Sequence, residues 1–173
     1  MNRPTRFTSA VGIVVVLLAM AHTLPAQTFG ARVGLTSYDL SGTGTGVVFS
    51  AFRTWSVQSD VFVTGSLPLF DKARTERFNG FVVANDISLL LPEFTVGLRH
   101  TFGRIEPMVG VGAGWAIKLR GTQRGGATLH ATLGTGFRIG ENTALTLTAV
   151  ARSVRPWSGS MVDLMAGVEI GHW

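Results

Sequence analysis

The feature that most constrains this chain is an alternation of apolar residues with small or charged ones. In the segment 105–120 the odd-numbered residues are almost all apolar, from Ile105 to Leu119. The even-numbered residues are mainly glycine, alanine or charged. Successive side chains of a β-strand point to opposite faces of the sheet. The segment is therefore predicted to form a strand with one apolar face and one small or charged face.

The same alternation recurs along the chain and predicts eight strands. They cover about 29–36, 46–57, 60–69, 93–102, 105–120, 128–139, 145–152 and 161–173. The second segment departs from the pattern, because Arg53 lies on its apolar parity and Phe52 on the other. A β-bulge would account for this. In the last segment, Trp173 shares the parity of the polar and glycine face.

Short and long connections alternate between the predicted strands. The short ones lie at 56–59, 103–104 and 140–142. The longer ones lie at 39–45, 71–86, 121–126 and 155–160. This rhythm is typical of outer-membrane barrels, whose periplasmic turns are short and whose outer loops are longer. With the N-terminus in the periplasm, every connection falls on the expected side.

The composition points to a membrane environment. Hydrophobic residues make up 46% of the chain and charged residues only 14%, whereas ordinary soluble domains have roughly 25% charged residues. After the N-terminal region, no segment is long and apolar enough for a spanning helix. A membrane protein without spanning helices must close its sheet, because lipid offers no hydrogen-bond partner to a sheet edge. The sequence thus predicts an all-β, eight-stranded, antiparallel, up-and-down transmembrane β-barrel.

The polar face of the strands is expected to point into this barrel. A charge facing lipid at the midplane would cost about 2–4 kcal/mol, whereas eight strands enclose a space that side chains can fill. The charges include both signs, so they can form an internal salt-bridge network. The expected members are Arg32, Glu106, Lys118, Arg138, Arg152, Asp163 and Glu169.

Several aromatic residues lie near the predicted strand ends. Trp and Tyr concentrate at membrane–water interfaces, so an interfacial girdle is expected here. Its members are Tyr38, Trp55, Phe70, Phe94, Phe102, Trp157 and Trp173.

The N-terminus has the pattern of a cleavable secretory signal peptide. Arg3 and Arg6 precede an apolar run from Val11 to Ala21, and Ala26 supplies a small residue before Gln27. The run is too short to span a bilayer as a helix. We expect residues 1–26 to be the signal peptide and 27–173 the barrel domain.

No motif for catalysis, metal or cofactor binding is found, and neither a metal nor a cofactor is expected. There is no cysteine, and His100, His130 and His172 lack metal-ligand spacing. The formal charge of +5 falls to +3 once Arg3 and Arg6 leave, which argues against nucleic-acid binding. The most charged segment, 71–77, is predicted to be a solvated outer loop. Lys72, Arg74 and Arg77 are its candidate contacts to lipopolysaccharide phosphates.

The stretch from Leu91 to Arg104, continuing through Glu106 to Gly114, resembles the small outer-membrane β-barrel superfamily of OmpA- and OmpX-like proteins. The glycine-alternating hairpins between Ala127 and Arg152 continue the likeness. The terminal Trp173 resembles the C-terminal aromatic residue that directs such chains to the barrel-assembly machinery, although its parity departs from the usual one. The resemblance implies Sec-type export, periplasmic chaperones and insertion into the bacterial outer membrane.

Members of one fold perform different tasks, so the function expected here is broad. We expect a non-enzymatic, monomeric outer-membrane barrel that has a structural or surface-interaction role and contacts outer-membrane lipid and lipopolysaccharide. Its filled interior is expected not to conduct. Two alternatives stay open, namely a narrow pore or small-ligand carrier, and a lipid-modifying enzyme using His130 with an interior Thr or Glu.

Overall fold

The computed structural model describes residues 26–39, 43–72, 75–78, 81–84, 87–120, 125–155 and 159–171. These residues form eleven β-strands. The first five are β1 (Ala26–Asp39), β2 (Thr43–Ser56), β3 (Val61–Lys72), β4 (Thr75–Phe78) and β5 (Phe81–Ala84). The other six are β6 (Ile87–Leu90), β7 (Glu93–Arg99), β8 (Ile105–Arg120), β9 (Gly126–Arg138), β10 (Thr143–Val154) and β11 (Gly159–Gly171). In these ranges no helix is long and apolar enough to cross a membrane.

Nine of the strands form one closed antiparallel sheet. Strands of this sheet that follow one another in the chain are paired, except β6 with β7, and β11 pairs with β1 from Thr28↔Gly171 to Asp39↔Ser160. β6 and β7 both lie between β3 and β8, so together they make one stave of the barrel. The predicted eight-stranded, antiparallel, up-and-down barrel is therefore confirmed.

The stave made by β6 and β7 is interrupted at Leu91 and Pro92. Proline has no N–H group to donate to a neighbouring strand. The ladder continues around it nonetheless, because Leu91 N donates to Pro68 O at 2.8 Å and Trp115 N donates to Pro92 O at 3.1 Å. Only the second half of this stave was predicted, and its predicted end at 102 lies three residues beyond Arg99.

The two ends of the barrel differ in their connections. One end, called the turn end, carries the short connections 57–60, 100–104 and 139–142 and the start of β1 and end of β11. The opposite, loop end carries the connections 40–42, 121–125 and 155–158, which are no longer than those at the turn end, and the 14-residue segment 73–86. The predicted long connections are therefore found only in segment 73–86, because the strands extend into the other three. Between β3 and β6, where a plain loop was predicted, β4 and β5 form a separate two-stranded antiparallel sheet.

The outer surface of the barrel is apolar. Large hydrophobic side chains stand exposed on every stave except β3, where the outward ones are half-buried, and Leu35, Val111 and Leu129 are about two-thirds exposed. A soluble monomer rarely exposes a continuous apolar surface of this extent. The exposed band and the closed sheet are those of a barrel whose surrounding solvent is lipid.

Strand β2 shows no bulge, contrary to the sequence-based expectation. Its register with β1 is continuous from Ala26↔Ser56 to Asp39↔Thr43. Phe52 is buried inside the barrel, where its ring lies over Gly30, a residue with no side chain to obstruct it. Arg53 remains on the outer face near the turn end, where it donates to Gln27 Oε1 and lies 5.6 Å from the Trp55 ring.

The expected aromatic girdle is only partly present. Phe94 and Phe102 are exposed. Trp55 keeps its outer parity but is buried, and it lies against Gly65. Tyr38 and Phe70 are wrongly placed in the prediction, because both lie inside the barrel and contact each other edge to face at 5.3 Å. Trp157 and Trp173 lie outside the described residues.

Candidate functional site in the charged interior

The ionisable side chains on the inner face gather into two clusters. The turn-end cluster consists of Arg99, Glu106, Arg138 and Glu169. The loop-side cluster consists of Glu93, His130, Arg152 and Asp163. Both arise because alternate residues of five neighbouring staves, β7 to β11, bring polar side chains to the same side of the sheet.

In the turn-end cluster two buried carboxylates each contact arginine. Glu169 receives both terminal nitrogens of Arg99, the closest pair being Arg99 Nη2 and Glu169 Oε2 at 2.9 Å. Thr28 also donates its hydroxyl to Glu169 Oε1. Glu106 pairs with Arg138, lies 3.9 Å from Arg99 Nη1 and accepts a bond from Thr101 Oγ1 at 3.3 Å. Arg99 thus links the two carboxylates.

In the loop-side cluster one arginine bridges two carboxylates. Arg152 donates to Glu93 through Nε at 2.5 Å and through Nη2 at 3.0 Å, which is the bidentate geometry that a guanidinium favours. Its third nitrogen, Nη1, donates to Asp163 Oδ2. All three side chains are at most 3% exposed, so each depends on the others for compensation of its charge.

His130 completes the loop-side cluster. Its Nε2 lies 2.8 Å from Thr95 Oγ1, and its Nδ1 lies 3.7 Å from Glu93 Oε1. The Thr95 and His130 side chains meet across β8 at Gly112, where a Cβ would lie 2.5 Å from His130 Nε2. His130 is therefore held by its contacts to β7 and by the lack of a side chain at Gly112.

Arg32 lies between the clusters. Its guanidinium carbon stands 3.8 Å from the centre of the Phe52 ring, a cation–π distance. With Arg32 included, the described interior holds four arginines and four carboxylates, so their formal charges cancel when His130 is neutral.

At the loop end the interior becomes apolar. Seven buried side chains form a cluster there: Tyr38, Phe70, Leu89, Leu91, Ala116, Val154 and Met161. Below it, the cavity bordered by Arg32, Glu93, His130 and Arg152 has a volume of about 20 Å³. That is enough for about one water molecule.

The structure brings together most, but not all, of the residues predicted for the charge network. Glu106, Arg138 and Glu169 enter the turn-end cluster, Arg152 and Asp163 enter the loop-side cluster, and Arg32 lies between them. Lys118 is the correction, because its side chain is exposed. It lies near the loop end of β8, where the pairing with β6 shifts between Ser88 and Leu89, and strict alternation no longer holds there.

Two principal members of the network, Glu93 and Arg99, were missing from the prediction. Both alternate with the outward Phe94, Val96 and Leu98, and this parity was the available signal. Of the predicted surface contacts, Lys72 ends β3 and Arg77 lies within β4, their side chains not being described. Arg74 and the predicted assembly signal Trp173 lie outside the described residues.

The pairing of Thr95 with His130 has the elements of a nucleophile and a base. Small-molecule sites commonly enclose about 300–1,000 Å³, whereas the interior cavity beside His130 has room for about one water molecule. The arrangement can hold charge and fill the barrel.

No protein-family model matches the sequence, and no curated protein sequence matches it significantly. Solved structures do match its fold. Neisserial surface protein A (NspA) has a TM-score of 0.70 at 13% identity, over 83% of this chain and 96% of that one. Ail of Yersinia pestis, solved with the heparin analogue sucrose octasulfate, has a TM-score of 0.58 at 14% identity, over 86% and 99% of the two chains. A de novo designed transmembrane β-barrel has a TM-score of 0.53 at 16% identity, over 87% and 98%. The fold is that of the small bacterial outer-membrane barrels.

Proposed function

We propose that this chain is an integral outer-membrane protein of a Gram-negative envelope, with a structural or surface-interaction role and a barrel that does not conduct. The observation that carries the proposal is the combination of an apolar outer surface with an interior filled by paired charges. Such an exterior is stable only in lipid. Such an interior gives the barrel stability without providing a passage.

Two interior layers oppose conduction. The salt-bridged clusters cross the barrel from β7 to β11, and moving an ion past them would separate charges that have little access to water. Beyond them the apolar cluster at the loop end disfavours water, as hydrophobic constrictions do in channels. We therefore place the function on the surface of the barrel, and consider it neither a pore nor a carrier.

The remaining features of the proposal concern export, orientation and surface contacts. Residues 1–26 are a Sec-type signal peptide, and the domain 27–173 inserts through the barrel-assembly machinery with Trp173 as its signal. The turn end faces the periplasm and the loop end faces outward. Lys72, Arg74 and Arg77 then stand where lipopolysaccharide phosphates are found. The barrel acts as a monomer and has no enzymatic activity.

Membrane fractionation with gel electrophoresis tests the location and the fold together. The protein should be found in the outer-membrane fraction, and the unheated band should migrate differently from the boiled one. The mass of the purified protein should correspond to a chain that begins at Gln27. An unshifted band in the soluble periplasmic fraction would contradict both the fold and the location.

Planar-bilayer recording and a single substitution test the two alternatives. The purified barrel should give no steady single-channel steps, and currents that interior substitutions abolish would instead establish a pore. His130→Ala should leave lipid A and phospholipid turnover unchanged in cells. A loss of turnover on this substitution, with normal folding, would establish the enzyme.

A further inference from the structure

The outer face of β7–β11 carries a groove that the proposed function does not explain. It is an open concavity of about 790 Å³ towards the loop end. Its walls include Leu129 on β9 and Val162 on β11, which are 65% and 53% exposed. The groove therefore opens to the surrounding lipid.

The floor of the groove follows from the outward residues of β10. From the turn end these are first Leu145 and Leu147, and then the much smaller Ala149, Ala151 and Ser153. The β9 neighbour of Ala151 is Ala131, which widens the floor sideways. Of the three small β10 residues, Ala151 and Ser153 border the groove, which follows two rows of outward residues across the strands, one through Ala131 and Ala151 and the other through Leu129 and Ser153.

Polar groups stand at the loop end of this floor. Ser153 is directly opposite Ser160 of β11, and both are exposed on the lipid-facing side. Two residues after Ser153, Arg155 is exposed. Its backbone N donates to Ala127 O at 2.9 Å. Ala127 pairs in turn with Trp115, which is 54% exposed. Arg155 and Trp115 thus lie two strands apart in one row, about 10 Å from each other.

Strand β1, which pairs with the far side of β11, lacks this combination. The outward residues of β1 from Ala31 onward are Val33, Leu35, Ser37 and Asp39, so that strand becomes bulkier and ends on an acid. Asp39 is the acidic residue nearest to the serines, since it pairs with Ser160. It lies on the side away from Arg155. The cationic group beside the groove, Arg155, therefore lies on the side of β9 and β10.

We propose that this groove binds one acyl chain of the lipid A part of lipopolysaccharide, whose phosphate pairs with Arg155. The small floor accommodates the chain, and Ser153 and Ser160 hydrogen-bond the polar atoms where the chain joins the head group. A guanidinium provides the charge complementarity for phosphate. Trp115 lies at the depth where an indole favours the membrane interface. The inference rests on the proposed function, because the loop end must face the outer leaflet for lipid A to reach it.

Native mass spectrometry of the full barrel refolded in neutral detergent micelles tests this site, with lipid A as the probe. The wild type should retain one lipid A. Ala151→Leu, which fills the floor, and Arg155→Glu, which reverses the charge, should each weaken retention about tenfold. Ala31→Leu and Arg104→Glu are the matched controls, because they make the same changes on β1 and at the turn end. They should retain lipid A as the wild type does.

The phosphate contact has its own test. Lipid A from which the phosphates have been removed should bind the wild type more weakly, and Arg155→Glu should then have no additional effect, because the two partners of one contact are coupled. Equal retention by the wild type and both groove variants would overturn the site. The site would also be overturned if the wild type retained phosphatidylglycerol as well as lipid A and the groove variants weakened both equally. A heat-modifiable barrel in the outer membrane that failed these tests would leave the proposed function intact.

Discussion

Among individual residues, Arg152 is almost fully buried and contacts two buried carboxylates, those of Glu93 and Asp163. Arg152→Ala leaves two carboxylates without their cation in the interior. We expect the free energy of unfolding to fall by about 3–5 kcal/mol, as measured by denaturant titration of the barrel refolded into lipid vesicles. Arg104→Ala, at an exposed turn-end position, is the control and should unfold like the wild type.

A compensated variant separates lost charge pairing from lost volume. Arg152→Met combined with Glu93→Gln and Asp163→Asn removes all three charges while keeping the side chains large. Because a neutral replacement of a buried ionic triad is often well tolerated, this variant should recover much of the stability that Arg152→Ala loses. If it were as unstable as Arg152→Ala, the charge pairing would not be the reason for the loss.

Gly112 is required because atoms of neighbouring strands lie close to its Cα, and not because its backbone conformation needs glycine. A Cβ at this position would meet the carbonyl oxygen of Phe94 and lie 2.5 Å from His130 Nε2. Gly112→Ala should therefore cost about 1–3 kcal/mol of unfolding free energy through overpacking. Gly140→Ala provides the comparison, since a Cβ at Gly140 would have nothing within 4 Å. Equal stability of the two variants in the same titration would contradict this packing argument.

Residue parity predicts the face of a side chain but does not predict its partner. Glu93 and Arg99 lie on the same face of one strand, yet Glu93 pairs with Arg152 and Arg99 with Glu169. These partners are 59 and 70 positions away in the chain. Their proximity depends on how the barrel closes, and no local pattern contains that information. Tyr38 and Phe70 illustrate the same limit, because end-of-strand aromatics can face either side.

At the level of the elements, the β4–β5 hairpin is separable from the barrel. Its two strands pair only with each other within the described part of the chain, whereas Lys72 of β3 lies directly opposite Ile87 of β6. A two-residue turn can join residues in that arrangement. Replacing residues 73–86 by Asn-Gly should therefore preserve the heat-dependent gel shift. Loss of the shift, with an otherwise normal expression level, would show that the hairpin is needed for folding.

The hairpin also explains where strand prediction from the sequence stops. A barrel strand has lipid on one side and the interior on the other, so its residues alternate and the alternation is readable. The strands β4 and β5 lie outside the barrel sheet, and no such two-sided environment imposes a period on them. β6 is only four residues long, which is too short for a reliable alternation pattern, and Pro92 lies two residues after its end.

On the scale of the whole molecule, the distribution of side chains suits a barrel that is filled and asymmetric along its axis. Paired charges occupy the turn end and the middle, and the apolar cluster closes the loop end. Water can therefore reach the network more easily from the turn end, where Arg138 is 31% exposed. The 14-residue segment 73–86 lies at the opposite, loop end.

The proposed orientation can be measured on cells. It places the 14-residue segment 73–86 outside, where outer-membrane barrels carry their longer connections, and the turn end in the periplasm. An epitope tag inserted between Asn79 and Gly80 should be labelled by antibody on intact cells. A tag inserted between Glu141 and Asn142 should be labelled only after the outer membrane is permeabilised. Both tagged proteins should first show the heat-dependent gel shift, so that labelling is read only on folded barrels. The reverse labelling pattern would show that the barrel is inserted the other way round. The proposed lipid A site would then not face the outer leaflet, although the fold itself would be unchanged.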